Sequence, residues 1–188
     1  MSLPQAVLDT DVIYSRVLHE FCGRAAVDGL IMTLIWSDEL IAEVHHALTD
    51  YKEIPRPAAD RWAGHLTREF PGGRVDLETL SPSVDLFKLT KDPGDEHVCA
   101  LAEAGGADYL LTFDRGYRRR RLKELGVTVM SPDRYLTDRL APQPRLLKQI
   151  LETQAAAWGG GRPVGELIDA LERAKAERLA TAARPLFS

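Results

Sequence analysis

Residues 92–114 read DPGDEHVCALAEAGGADYLLTFD. The opening Asp92-Pro93-Gly94 is turn chemistry, because Pro fixes φ and Gly turns freely. Asp95 then opens a helix on which Val98, Leu101 and Ala102 share one face at helical spacing. Gly105-Gly106 stops that helix. Tyr109 to Thr112 is an apolar run of strand length that ends in Phe113-Asp114. A helix, a glycine stop and a buried strand joined this tightly are the building pattern of an α/β protein.

The pattern repeats outward in both directions. Upstream, Ala6–Leu8 predicts a short buried strand that ends at Asp9, followed by a helix over about 12–26. Leu30–Ile35 is a continuous apolar run of strand length, flanked by Gly29 and by the helix-start pair Ser37/Asp38. The next helix, 38–48, places Leu40, Val44, Ala47 and Leu48 on one face. A polar, proline-bounded helix over 57–69 runs into Pro71-Gly72-Gly73. Residues 75–94 predict only a short extended piece before the turn. Downstream, Val127–Met130 is a strand, and Ser131-Pro132-Asp133 combines an N-cap with Pro at the first helical position. Strands alternating with helices imply a three-layer α/β/α fold with a central parallel sheet.

Beyond residue 139 only helical periodicity remains. Leu146, Leu147, Ile150 and Leu151 form one apolar stripe, and Val164, Leu167, Ile168 and Leu171 form another. Gly159-Gly160-Gly161 separates them, and there is no internal repeat. The expected division is therefore an α/β domain over 1–138 and a helical C-terminal extension over 139–188.

The chain has 188 residues, 45% hydrophobic and 28% charged, as in an ordinary folded protein. No apolar run reaches bilayer length, and MSLPQAVLDTDV has neither a basic n-region nor a cleavage site, so a cytoplasmic location is expected. Cys22 and Cys99 fit no zinc or redox spacing and are expected to be buried apolar side chains. Residues 1–138 carry 16 basic and 23 acidic side chains, and residues 139–188 carry 8 and 5. Inside the acidic part sits one dense basic run, Arg115, Arg118, Arg119, Arg120, Arg121 and Lys123. Such a stripe can grip a phosphate backbone or be a solvated helix face.

Three acids, Asp9, Asp114 and Asp95, sit where an open parallel sheet forms its functional crevice, at the C-terminal ends of strands, and a fourth, Glu43, joins them from a helix. Asp9 closes the first strand, Asp114 closes the strand at 109–112, Asp95 heads the helix before it, and Glu43 lies at the border of an apolar helix face. Taken singly, Asp9, Asp38 and Asp95 fit helix caps, Asp11 fits a first-turn acid, and Glu43 fits a solvated helix residue. Brought together they repel at a cost of several kcal/mol unless protons or cations intervene. Oxygen-only ligands select hard cations such as Mg²⁺ or Mn²⁺, which promote in-line phosphoryl transfer. His45 and His46 are expected on the outer helix face, and His97 in packing or hydrogen bonding.

Four segments together resemble the PIN-domain family, small Mg²⁺/Mn²⁺-dependent ribonucleases that include the VapC-type toxins of toxin–antitoxin pairs. They are AVLDTDVI (6–13), SDELIAEV (37–44), DPGDEHVCALAEAGGADYLLTFD (92–114) and GVTVMSPDRYL (126–136). The resemblance covers roughly residues 5–138. It implies Asp9, Glu43, Asp95 and Asp114 as the acidic catalytic centre, with Asp9, Asp95 and Asp114 holding the metal. It implies Thr10 and Thr112 as hydroxyl supports and Asp11 or Asp92 as outer acids. Position 11 departs from the family's usual Asn or Ser. The resemblance further implies an RNA substrate, a cognate antitoxin protein and a homodimer.

Two other functions stay open at this level. LDTDV also resembles the Asp-x-Asp motif of haloacid-dehalogenase-type phosphatases, with Asp9 as nucleophile and Asp11 as acid. Ile13 fits that motif poorly, and it leaves Thr112-Phe113-Asp114 without a role. The third possibility is a catalytically silent PIN-like fold that only binds protein or RNA.

Overall fold

A computed structural model of the chain describes residues 2–79, 83–158 and 160–187. In chain order its elements are β1 (Gln5–Leu8), α1 (Thr10–Ile13), α2 (Arg16–Val27), β2 (Thr33–Ile35), α3 (Asp38–His46) and α4 (Arg56–Glu69). There follow α5 (Glu96–Ala104), β3 (Tyr109–Leu111), α6 (Arg119–Glu124), β4 (Thr128–Met130), α7 (Pro132–Leu140), α8 (Pro144–Ala157), α9 (Val164–Arg173) and α10 (Glu177–Ala183). They group into two compact units interleaved in sequence. One comprises Met1–Tyr14 with Met32–Met130, the other Ser15–Ile31 with Ser131–Ser188.

The first unit is built on a four-stranded sheet in the order β2-β1-β3-β4, with every pairing parallel. This is the expected central parallel sheet of an α/β/α fold. Ala6, Val7, Leu8, Leu34, Leu110 and Leu111 are each at most 1% exposed, which explains why these strands read as unbroken apolar runs rather than alternating ones. Leu8 aligns with Leu111 on β3, and Leu111 aligns with Met130 on β4. The ladder continues one residue past the strand ends, with the Asp9 N–H donating to Leu111 O (3.0 Å) and the Thr112 N–H to Met130 O (3.0 Å). After β1 the chain crosses to β2 on one side, while β3 and β4 lie on the other. The C-terminal ends of β1 and β3 therefore form a topological switch point, where open α/β sheets bind ligands.

Several boundaries differ from the sequence expectation. The helix expected over 12–26 is two helices, because Asp9 caps α1 at Thr10 and the backbone turns extended at Ser15. The strand expected over 30–35 starts only at Thr33. Leu30 adopts φ 48° and, with the Ile31 N–H bonded to Ala25 O, closes α2 in the left-handed position that glycine usually fills. The apolar run at 30–35 therefore does two jobs. The helix expected to Leu48 passes into a π turn, Ala47–Tyr51, after which Lys52 Nζ bonds Tyr14 O (2.7 Å) and sits over the Tyr14 and Trp62 rings. The unread stretch holds an isolated bridge of Arg74 to Trp36 and two 3₁₀ turns, Leu86–Lys88 and Pro93–Asp95.

The second unit is helical. Leu18, Phe21, Cys22 and Ala25 of α2 are fully buried, and α2 packs on α7, α8 and α9. Of the later stripe, Leu167, Ile168 and Leu171 are buried. The Asp133 carboxylate, 6% exposed, accepts the backbone N–H groups of Leu179 (2.9 Å) and Arg178 (3.3 Å) and so caps α10 from α7. Of the glycine run, Gly159 lies outside the described residues, while Gly160 and Gly161 have positive φ. Cys22 and Cys99 are free and buried, and among the described residues no helix is long and apolar enough to cross a membrane.

Candidate metal centre

Asp9 is the best-buried acid of the first unit, at 5% exposure. Its Oδ1 accepts the Thr10 N–H (2.8 Å) and its Oδ2 accepts the Thr112 hydroxyl (2.6 Å). Thr112 Oγ1 in turn accepts the Asp114 N–H at 2.8 Å. Its one proton goes to Asp9, and Asp11 Oδ2 stands farther off, at 3.5 Å. Asp11 instead accepts the Phe113 N–H at 2.9 Å. The acids after β1 are thus tied to the turn after β3 by two hydrogen bonds, Thr112 to Asp9 and Phe113 to Asp11.

Glu43, half-buried on α3, reaches the same rim. Its Oε2 accepts the Thr10 hydroxyl at 2.6 Å and lies 3.0 Å from His97 Nε2, in an ion pair whose N–H is not aligned as a hydrogen bond. His97 Nδ1 sits 2.8 Å from Gly94 O, a group that only accepts, so Nδ1 carries a proton. Burial pushes the Glu43 carboxyl up, but His97 and Thr10 outweigh it and leave the group below its ordinary value. Burial likewise lowers His97, and Glu43 more than reverses this. His97, expected in packing or hydrogen bonding, thus bonds Gly94 through one ring nitrogen and faces Glu43, a candidate catalytic acid, with the other.

Asp95 caps α5 by position without bonding a helix N–H, and its Oδ2 has only a long contact, 3.4 Å, to the Thr90 hydroxyl. Burial, then the charges of Asp9, Asp114, Asp92 and Glu43, raise its pKa to about 6. Burial and then Asp11 raise Asp9 to about 7, against the opposing hydrogen bonds of Thr112, Thr10 and, most weakly, Tyr117. Asp114 is exposed and accepts the Gly116 N–H (2.7 Å), and Asp92 accepts the Gly94 N–H (2.9 Å). The other three carboxylates named from the sequence, and Asp92, therefore all act electrostatically on Asp95.

This donor set fits a hard divalent cation: it is all oxygen, and two of its carboxyls, Asp9 and Asp95, are raised by burial and like charge, so a cation can take the place of their protons. Among the described residues no three His, Cys, Asp or Glu side chains already stand closed around one ion position. The fit rests on donor chemistry and on the raised carboxyls.

The basic run begins directly after Asp114. Arg118 is anchored by its N–H to Leu89 O (2.7 Å) and its Nε to Thr90 O (3.4 Å). Arg120 and Arg121 pair with Glu124, and Lys123 Nζ meets Thr128 Oγ1 at 3.2 Å. Arg118–Arg121 line one open surface depression. A roomier cavity between residues 83–89 and α6 contains none of the four site acids.

Sequence reasoning missed Thr90 and Tyr117. Thr90 lies in the stretch with no periodic signal. Tyr117 carried a signal, since a lone aromatic inside RGYRRRR can only be accommodated by turning inward, and it is 3% exposed.

No curated protein and no solved structure matches the chain. The PIN domain matches residues 5–116, a span holding Asp9, Glu43, Asp95 and Asp114 and the switch point between β1 and β3, so the chain belongs to the PIN-domain family, whose members are generally nucleases.

Proposed function

We propose that this protein is a Mg²⁺- or Mn²⁺-dependent endoribonuclease, the toxin of a toxin–antitoxin pair, acting in the cytoplasm. Asp9, Asp95 and Asp114 would hold the metal and Glu43 would complete the catalytic set. The observation that carries this is the gathering of Asp9, Asp114, Asp92 and Glu43 around a half-buried Asp95, whose carboxyl burial and then these charges raise to about 6, beside an Asp9 at about 7. Nothing else in the chain gives all these acids a shared task. When bound, the ion supplies positive charge to the phosphodiester and lowers the pKa of water at the site.

The chain's own residues do the holding. Thr112 and the Thr10 N–H fix the two oxygens of Asp9, and the Thr10 hydroxyl with His97 fixes Glu43. Arg115, Arg118, Arg119, Arg120, Arg121 and Lys123 supply the positive edge for the RNA backbone. Water adds to phosphorus and the P–O3′ bond breaks, leaving a 5′-phosphate and a 3′-hydroxyl that takes up a proton. The nuclease machinery is assigned to 1–138, with 139–188 as a helical extension. A cognate antitoxin and a second copy of the chain are the expected partners.

A haloacid-dehalogenase-type phosphatase is disfavoured by two contacts. Both Asp9 oxygens are already engaged, and the Asp11 oxygen that would serve as acid is held by the Phe113 N–H. The deciding assay sets single-stranded RNA beside a generic phosphomonoester, each with Mg²⁺ and with Mn²⁺. We expect RNA cleavage that Glu43→Gln and Asp114→Asn each reduce by more than about 100-fold. Phosphomonoester turnover surviving Glu43→Gln, without cut RNA, sinks the nuclease assignment. Turnover of neither substrate favours a silent binding module.

A further inference from the structure

Tyr117 lies three residues after Asp114, between Gly116 and Arg118. Arg115, Arg118, Arg119 and Arg120 around it are exposed, whereas Tyr117 is 3% exposed. The Arg119 N–H bonds its carbonyl at 3.0 Å, so the turn carries the ring inward while the arginines stay in water. The ring needs no hydroxyl to fill that space. Yet the hydroxyl is there, without solvent contact and without a well-aligned hydrogen bond among the described residues, although it stands close enough to Asp9 for a weak one. It faces Asp9 and Asp95, and burial followed by those two charges pushes the phenol above its ordinary value. A buried hydroxyl left unbonded destabilises a fold, and a phenylalanine would avoid the cost.

The neighbours explain what such a hydroxyl can do. Asp9 already has one donor on each oxygen, the Thr10 N–H and the Thr112 hydroxyl. An ionised carboxylate has about four lone-pair sites, so a third donor and a cation can share what remains. Donors that orient a metal-holding carboxylate tune its affinity without touching the metal.

We propose that Tyr117 is a positioning residue of the acidic centre: when a divalent cation draws the Asp9 carboxylate into place, the Tyr117 hydroxyl becomes its third hydrogen-bond donor. This rests on the ion-binding role given to Asp9 under Proposed function. The metal-free fold holds this hydroxyl only weakly against Asp9, and the ion-loaded fold uses it fully.

The test is Tyr117→Phe, which keeps the ring and deletes only the hydroxyl. Metal-stripped wild type and variant are compared by thermal unfolding, and both are titrated with MnCl₂ in a calorimeter. We expect the metal-free variant to melt no lower than wild type, and to bind Mn²⁺ about 10–100-fold more weakly. A variant that binds Mn²⁺ as tightly as wild type overturns the role of Tyr117 and leaves the ion site standing. A metal-free variant that melts lower also overturns it, because the hydroxyl is then already bonded in that state. Wild type that binds no Mn²⁺ overturns both the ion site and the role of Tyr117.

Discussion

Asp9 and Asp133 are both aspartates taken out of water, 5% and 6% exposed, and each accepts hydrogen bonds from the chain around it. They differ in company. Asp133 faces the N-terminus of α10, where two backbone N–H groups and the helix dipole both favour a negative charge. Asp9 has another acid, Asp11, beside it, and burial followed by that charge lifts its carboxyl from 3.8 to about 7. Burial alone therefore does not mark a working carboxylate. The distinguishing feature is an unbalanced like charge beside it, which gives a cation something to balance.

The largest effect that would sharpen this contrast is on catalysis. Asp9→Asn should reduce RNA cleavage by more than about 100-fold while the protein stays folded. Mn²⁺ affinity measured by calorimetry should fall with it. Wild-type affinity in that variant would return Asp9 to the same class as Asp133, a cap for α1 and nothing more.

The next effect falls on stability. Asp133→Ala leaves the Arg178 and Leu179 N–H groups without their acceptor, at a cost of roughly 1–3 kcal/mol. Urea unfolding should register that loss, while Mn²⁺ binding by the folded variant stays as in wild type. Loss of ion binding in folded Asp133→Ala would erase the difference between the two carboxylates.

The smallest effect is on pH dependence. A raised carboxyl favours the protonated folded state, so the Asp9 contribution to metal-free stability is full below its unfolded value of 3.8 and is lost as pH rises through about 7. Asp95 acts in the same direction up to about 6, whereas Glu43, held below its ordinary value, acts oppositely. The clean observable is the difference between Asp9→Asn and wild type. The variant should gain relative melting temperature between pH 4 and 7.5, by about 2–4 °C for each kcal/mol. A flat difference would mean that Asp9 is not crowded.

Much of this was legible in the residues. Apolar runs that end in Asp9 and in Thr112-Phe113-Asp114 betray strands buried on both faces, and the acids beyond them fall at the switch point because parallel strands share one polarity. The pairing of Glu43 with His97 was not legible. It depends on α3 and α5 approaching in space, and no spacing within either helix encodes that. The late start of the strand in the 30–35 run was hidden for another reason. Leu30 has strand-like character but is spent on closing α2, a left-handed role that its side chain does not advertise. Tyr117 lay in plain view, but the arginines around it suggested a surface.

The placement of α2 has a consequence during synthesis. Its apolar face, Leu18, Phe21, Cys22 and Ala25, is covered in the finished protein by α7, α8 and α9, which emerge from the ribosome more than a hundred residues later. At about 5–20 residues per second, that face waits on the order of ten seconds for its partners. Meanwhile every strand of the sheet has already been made. A nascent chain of this protein therefore holds the pieces of its acidic centre well before it can close the helical unit beside α2, and the exposed α2 face is the natural target for a chaperone in that interval.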